Sequence, residues 1–398
     1  MKSYTIAEIA RITGGEIVAG DLSPEFTIGQ LVTDSRTMLQ GEKSLFFALT
    51  GPRNNGHLYI SELIRKKVPV FVVSQRNPAW EQTPGTAFIA VPDTLEALQK
   101  LAAFHRSRFL FPVIGITGSN GKTVIKEWLH DLLSDTFSIV RSPKSYNSQV
   151  GVPLSVWHIE AGHNLAIFEA GISQPGEMAH LEKIIRPAIG IFTNIGDAHQ
   201  ENFSSFSEKA AEKLLLFSRA EQLVFCADQP QVAPLTYQFC QENGIAPVDW
   251  SLQDKKVLIR FTVKAENGNT RLEANWNGQT VTFSIPFADS SSVENACHCF
   301  AALVALNAPV RVLLPRFSTL EPLAMRLELK RGINNCLLLN DYYNSDINSL
   351  DIALSVLARQ AEKNHLKKIV ILSDIRQSGF SRGELYRQVN KLLVDSEV

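Results

Sequence analysis

Apolar positions in this chain follow two periods that trade places repeatedly. Helical spacing over 6–12 follows Thr5 as a candidate cap and stops at Gly14-Gly15. Apolar runs at 16–19, 28–33 and 44–49 read as strands. A helix over 59–66 leads into a strongly apolar strand at 68–73, then a strand at 87–91 and a helix over 94–109. Residues 1–109 therefore predict a small N-terminal α/β domain.

The next stretch repeats strand and helix. A buried strand at 109–116 passes through a glycine-rich turn into a helix over 124–133. Strands follow at 138–141, 165–170, 189–194 and 222–227, with helices over 151–158, 176–183 and 207–218 between them. That alternation predicts a mainly parallel, doubly wound sheet. After Pro247 the pattern changes to short strands at 257–265, 271–276 and 280–285, joined by Asn267-Gly268 and Asn277-Gly278. Asn-Gly is a strong hairpin signal, so an antiparallel meander should edge the parallel sheet. A helix over 291–306 closes this central domain, 110–312. Proline rises over 309–322, and 313–398 then offers strands at 336–340 and 368–373 and helices at 349–359 and 383–393. That is roughly half of an α/β domain.

Composition narrows the class. The 398 residues exceed one ordinary core, and 45% apolar with 20% charged residues describes a globular chain. A net charge of −1 supplies no footprint for nucleic acid or an anionic membrane. No apolar stretch approaches the ~20 residues of a membrane span, and the N-terminus shows no signal-peptide core. The five cysteines form no Cys-x-x-Cys pair, which points to thiols in a reducing compartment. The expected location is cytoplasmic, without membrane insertion.

The glycine-rich turn carries the clearest chemistry. In Gly115-Ile116-Thr117-Gly118-Ser119-Asn120-Gly121-Lys122-Thr123, strand, turn and helix have the order of a phosphate-binding loop. Backbone N–H groups and the helix start would face an anion, Lys122 adds a charge, and the Thr123 hydroxyl can reach a magnesium ion. Gly115 stands one position too early for the generic spacing, so the loop is a variant. Asn147 precedes a helix, where an asparagine is most often just a cap. Glu169 ends an apolar strand, where a doubly wound fold places its ligand crevice; it suits a metal beside phosphates or a solvated strand end. His199, in Asn194-Ile195-Gly196-Asp197-Ala198-His199, also follows a strand. Lys213, with Leu214, Leu215 and Leu216, reads by itself as an ordinary helix lysine.

Together these residues resemble the Mur ligase superfamily. Thr117 to Thr123, Asn147…Gly151-x-Pro153, Glu169-Ala170-Gly171, Asn194-x-Gly196-x-x-His199 and Lys213 match its order and spacing, including the variant loop. Thr33-Asp34-Ser35-Arg36, then Leu45-Phe46-Phe47-Ala48-Leu49 with Gly51, and Asn55-Gly56-His57 resemble the UDP-sugar-peptide domain of its later members. Arg326-Leu327-Glu328 with Asn340-Asp341-Tyr342-Tyr343-Asn344-Ser345-Asp346 is similar to the Arg-x-Glu and Asp-x-Tyr-Asn-Ala-Asn-Pro pattern of the branch that adds D-alanyl-D-alanine. The tripeptide-forming branch carries Asp-Tyr-Ala-His-Thr-Pro there. Two departures stand out. Ser291-Ser292 replaces a His-Asn pair before Asn295, and Ser345-Asp346-Ile347 replaces Ala-Asn-Pro.

The resemblance implies an α/β, three-domain Mur ligase architecture with a central P-loop domain and a truncated C-terminal Rossmann-like domain. It implies ATP-dependent ligation of D-alanyl-D-alanine to UDP-N-acetylmuramoyl-tripeptide through an acyl phosphate, with Mg2+. Lys122, His199 and Lys213 would be catalytic. Gly115, Thr117, Gly118, Ser119, Asn120, Gly121, Lys122, Thr123, Asn147, Asn295, Arg326 and Asp341 would bind the nucleotide. Thr123, Glu169, His199 and a carbamylated Lys213 would hold metal. Asp34, Ser35, Arg36, Ala48, Gly51, His57, Tyr343 and Asn344 would meet the other substrates. The family's third domain is longer than 313–398, and some members continue into a fused alanine racemase, so the chain reads as cut short, with weak turnover. A silent nucleotide-binding fragment, or another amide ligase of the superfamily, is the competing expectation.

Overall fold

The structure is a computed structural model that describes residues 3–36, 41–51, 54–196, 200–253, 256–266, 268–323, 327–342, 346–375 and 380–398. It divides into two compact units, Met1–Pro112 with Ser138–Phe168 and His180–Ile185, and Val113–Phe137 with Glu169–Ala179 and Arg186–Val398.

The first unit is built on a five-stranded sheet in the order Glu16–Gly20, Ala87–Ala90, Val70–Val73, Ser44–Phe47, Gln30–Val32. The first pair is antiparallel and the others are parallel. Strand alternation sorts the side chains into two cores. Phe46, Phe71 and Phe88 are register partners on one face; Phe46 meets Phe71 edge-on at 6.2 Å, and Phe71 stacks on Phe88 at 5.0 Å. Leu45, Phe47, Val70, Val72 and Ile89 face the other way, against Ile6 and Ile9 of helix Ile6–Thr13 and Leu98 and Leu101 of helix Thr94–Ser107. Fully burying each such side chain contributes about 1.5–3 kcal/mol. Thr5 and Glu8 make a reciprocal capping box at the start of the first helix.

In the second unit the parallel strands Val113–Thr117, Ile189–Phe192, Gln222–Cys226, Ala246–Ser251 and Ile259–Glu266 lie side by side in that order. Asn269–Trp276 and Gln279–Ile285 continue the sheet antiparallel, as the Asn-Gly signals required. At the turn between them Asn277 and Gly278 both have positive φ, 48° and 72°. Helix Ser290–Ala305 is buried along most of its length. A separate small core joins helices Ile347–Asn364 and Arg382–Asp395 through Leu350, Leu354, Leu385 and Val389.

Several expectations change. Helix Ala233–Asn243 and strand Ala246–Ser251 stand where irregular sequence was expected, so the parallel sheet extends beyond Pro247, which pairs with Leu223. The loop strand begins at Val113, not 109, and Leu110 is 98% exposed. Residues 368–373 form no strand: Val370 and Leu372 pack on the helices, yet no described strand offers a ladder. Conversely, the polar strand Glu328–Arg331 pairs with Leu337–Asn340. It lacks the apolar run by which strands are recognised.

Candidate active site at the phosphate loop

Strand Val113–Thr117 and helix Lys122–Leu133 are joined by a turn that only glycine permits at two places. Gly118 has φ 144° and Gly121 φ 83°. A β-carbon on Gly121 would lie 2.5 Å from Asn295 Oδ1, which sets that amide directly against the loop. The segment after strand Ile189–Phe192 braces the turn. Ser119 N–H donates to the Asn194 carbonyl and Asn120 N–H to Asn194 Oδ1, each at 2.9 Å. Thr193 Oγ1 donates to the Asn120 carbonyl at 2.6 Å, and Gly196 N–H donates to Ser119 Oγ at 2.8 Å. The first half of the loop thus spends its N–H groups on Asn194. An anion would be met by the helix start, whose first N–H groups have no intrahelical partner.

Charge is concentrated behind that start. Lys122 Nζ folds back to donate to the carbonyls of Gly118 and Ser119 at 2.7 and 3.0 Å. Thr123 Oγ1 donates to Glu169 Oε2 at 3.1 Å, and Glu169 is fully buried. Its other oxygen, Oε1, lies 3.1 Å from Lys126 Nζ, which is equally buried. Lys213, on helix Phe206–Leu214, donates to the same Gly118 carbonyl at 3.2 Å. Burial first, then the charges of Lys122 and Lys209, hold the Lys213 pKa well below the usual lysine range. Lys209 donates to the Gly196 carbonyl. Thr123 and Glu169 present hard oxygen donors of the kind a divalent cation uses beside phosphates. Among the described residues no group of three or more His, Cys, Asp or Glu could enclose a metal ion. A cation here would complete its shell from phosphate and water.

A cavity of about 960 Å³ opens from Asn120, Gly121 and Asn295. Its apolar wall carries Trp128 and Phe287, stacked at 5.1 Å, with Leu320 and Pro322. Ser291 and Ser292 line it, and Asp289 caps their helix through Ser292 N–H at 2.8 Å. Asp341 and Arg359 complete the far side; Asp341 accepts from Leu327 N–H at 3.2 Å, and Arg359 donates to the Ala288 carbonyl at 2.8 Å. Phosphate-binding turn and adjoining apolar slot are the two halves a nucleotide needs.

The Mur ligase middle domain profile matches residues 116–303. The UDP-N-acetylmuramoyl-tripeptide–D-alanyl-D-alanine ligase of Bacillus subtilis is 27% identical over 388 residues, 95% of this chain and 80% of that protein. The ligase of the same name from Escherichia coli is 26% identical over 412 residues, 98% of this chain and 83% of its own. Residues 116–303 thus carry the pattern of a Mur ligase middle domain, and the chain is similar along nearly its whole length to these two ligases. Its fold agrees: MurF from Acinetobacter baumannii superposes with a TM-score of 0.86 at 22% identity, over 100% of this chain and 84% of that one. The MurF ligase from Thermotoga maritima in complex with ADP gives 0.75 at 20% identity, over 92% and 82%. The mixed α/β Mur ligase architecture implied by the sequence is the one observed.

The residues expected from the sequence fall into groups. Gly118 to Thr123, Glu169, Lys213, Asn295 and Asp341 all belong to the second unit. Gly115 sits inside the strand, where a β-carbon would meet Pro187 at 2.8 Å; it is a packing glycine. Thr117 spends its hydroxyl on the Ala170 carbonyl at 2.8 Å. Asn147 belongs to the first unit, as do Asp34, Ser35, Arg36, Ala48, Gly51 and His57. Arg36 donates to Asp34 at 2.7 Å, and that hydrogen bond lowers the Asp34 pKa to about 2. The Ser35 carbonyl accepts from Lys66 Nζ at 3.3 Å, and Gly51 pairs with Asn54 in a short exposed ladder. Ala48 is buried, its carbonyl accepting from Thr94 Oγ1 at 3.1 Å. His57 Nε2 accepts from the N–H groups of Ser74 and Gln75 at 3.1 and 3.2 Å, and burial lowers its pKa. Its ring is committed to holding the chain. His199, Arg326, Tyr343 and Asn344 lie outside the described residues.

Sequence reasoning passed over Lys126 and His298, and took Thr193 only as the start of the patch that ends at His199. Lys126 had a signal: it lies three residues after Thr123 on the inward face of the same helix. His298 had none, because its role depends on groups distant in sequence.

Proposed function

We propose that the protein joins the terminal carboxylate of a UDP-N-acetylmuramoyl-tripeptide to the amine of D-alanyl-D-alanine, driven by ATP. Relatives of this name along nearly the whole chain support the substrates, and the ADP-bound Thermotoga structure supports the nucleotide. The observation that carries the chemistry is the Thr123–Glu169 hydrogen bond of 3.1 Å beneath a loop gripped by Lys122 and Lys213.

The peptide carboxylate attacks the γ-phosphorus, ADP departs, and an acyl phosphate forms. The amine then adds to the acyl carbon, loses a proton, and inorganic phosphate leaves. Negative charge builds first on the transferred phosphoryl group and then on the tetrahedral oxyanion. Lys122 and the N–H groups at the helix start counter the first. The cavity seats the base and ribose, with Asn295 beside the loop and Trp128 and Phe287 as apolar wall. Ser291 and Ser292 offer hydroxyls where relatives of the sequence pattern carry histidine and asparagine.

The donor set fits magnesium, which prefers oxygen ligands and retains waters beside phosphates. Thr123 and Glu169 would hold it, and when bound it would neutralise charge on the phosphate oxygens. With its pKa held well below the usual lysine range, Lys213 gives up its proton more readily, as uptake of carbon dioxide requires. The carbamate so formed has oxygens that could meet a second cation, with His199 the further candidate. The cytoplasm, where UDP-linked precursors and ATP meet, is the proposed location.

The test is release of phosphate by the purified chain. Release that requires ATP, the UDP-tripeptide and D-alanyl-D-alanine together, with a pentapeptide product by mass, is expected. Phosphate release indifferent to both acceptor substrates would overturn the reading.

A further inference from the structure

Helix Lys122–Leu133 sends a second lysine inward. The Lys126 side chain is 0% exposed, and its Nζ lies 3.1 Å from Glu169 Oε1 and 3.0 Å from Glu127 Oε1. Thr123 Oγ1 holds Glu169 Oε2 at 3.1 Å. The carboxylate is therefore divided, one oxygen on a buried ammonium and the other on the hydroxyl beside the phosphate loop.

This division bears on cation binding. A bare carboxylate at such depth would attract a divalent ion strongly, because little solvent screens it. With an ammonium fixed on Oε1, the incoming ion meets a charge already balanced and is repelled by a cation at short range. Magnesium gives up its water reluctantly and is ordinarily held by one or two carboxylates together with substrate phosphates. Phosphates bring back the negative charge that Lys126 cancels.

We propose that Lys126 is a positioning residue that makes magnesium binding at Thr123 and Glu169 conditional on bound nucleotide. It fixes Oε1, leaves Oε2 turned to Thr123 and the ion, and suppresses capture of the ion in the absence of phosphates. Glu127, with 18% of its side chain exposed, shares the ammonium and moderates the effect. The inference rests on the metal role proposed for Glu169.

The experiment compares variants of the full chain by thermal unfolding and calorimetric titration, with magnesium chloride alone and then with ADP. The unsubstituted protein should respond to magnesium only when ADP is present. Lys126→Gln keeps a polar side chain beside Oε1 and removes the charge; it should bind magnesium alone at least about tenfold more tightly. Lys126→Arg should behave as the unsubstituted protein. Glu127→Gln, at the helix surface, leaves the whole ammonium on Glu169 and should weaken magnesium-dependent ADP binding by a few fold. A Lys126→Gln protein indifferent to magnesium alone, or unchanged ADP affinity in Glu127→Gln, overturns the proposal. Glu169→Gln separates the two levels. If that variant keeps full magnesium-dependent ADP binding, the metal role of Glu169 fails; if it loses it while Lys126→Gln shows no effect, only the Lys126 inference fails.

Discussion

Thr193 lies so close under Gly118 that a β-carbon there would be 1.9 Å from its Oγ1. The hydroxyl cannot retreat freely, because it donates to the Asn120 carbonyl at 2.6 Å. Gly118→Ala should therefore lose about 1–3 kcal/mol of stability through overpacking and positive φ. Adding Thr193→Ala should recover only part, since φ stays at 144° and Asn194 N at 3.0 Å from the added carbon. Urea unfolding of the three variants checks this.

Lys122→Ala separates binding from folding. Lys122 is tied to two carbonyls of its own loop. Losing those bonds should cost about 1 kcal/mol of stability, whereas losing charge-assisted bonds to phosphate should weaken ATP binding by about tenfold to a hundredfold. Calorimetric affinity and an unfolding curve on the same protein decide it. Equal ATP affinity would remove Lys122 from the phosphate site.

Lys213→Ala should abolish ligation, and short carboxylic acids should restore part of it by supplying oxygens where a carbamate would lie. Turnover measured against added formate or acetate is the readout. An activity that never returns, with a mass spectrum of unsubstituted protein showing no labile addition, would count against the modification.

His298 predicts an acid-sensitive fold. It is buried, accepts from Trp250 Nε1–H at Nδ1, 3.2 Å away, and donates through Nε2 to the Thr193 carbonyl at 3.2 Å. Burial lowers its pKa to about 3 from 6.5. The unfolded chain therefore binds a proton that the folded chain refuses, so this contribution is complete above pH 6.5 and is lost as pH falls toward 3. Between pH 7.5 and 5 the loss should be about 2 kcal/mol. Unfolding free energies at both values should show it, and His298→Gln should flatten that slope.

Local features were legible along the chain. The Thr5–Glu8 capping box, the Asn277-Gly278 turn and the two positive-φ glycines of the phosphate loop each follow from neighbouring residues. Helix Ala233–Asn243 was not legible, because its apolar residues make no continuous stripe, and Pro247 disguised the strand after it. Strand 368–373 was over-read, since an apolar run such as Ile369 to Leu372 marks burial and says nothing about a partner strand.

By itself the sequence determined that a glycine-rich turn of the phosphate-loop kind follows a buried strand, because glycine placement, Lys122 and Thr123 act within one turn of backbone. It also carried the family's order of motifs. Tertiary structure alone decided that Glu169 faces Thr123 and Lys126, that Lys213 reaches Gly118 across 95 positions, and that His57 is spent on its own fold. Such contacts depend on strand order and helix rotation, which no neighbouring residues encode. The phosphate loop is thus a local device, while the charges that make it chemical are assembled by the sheet.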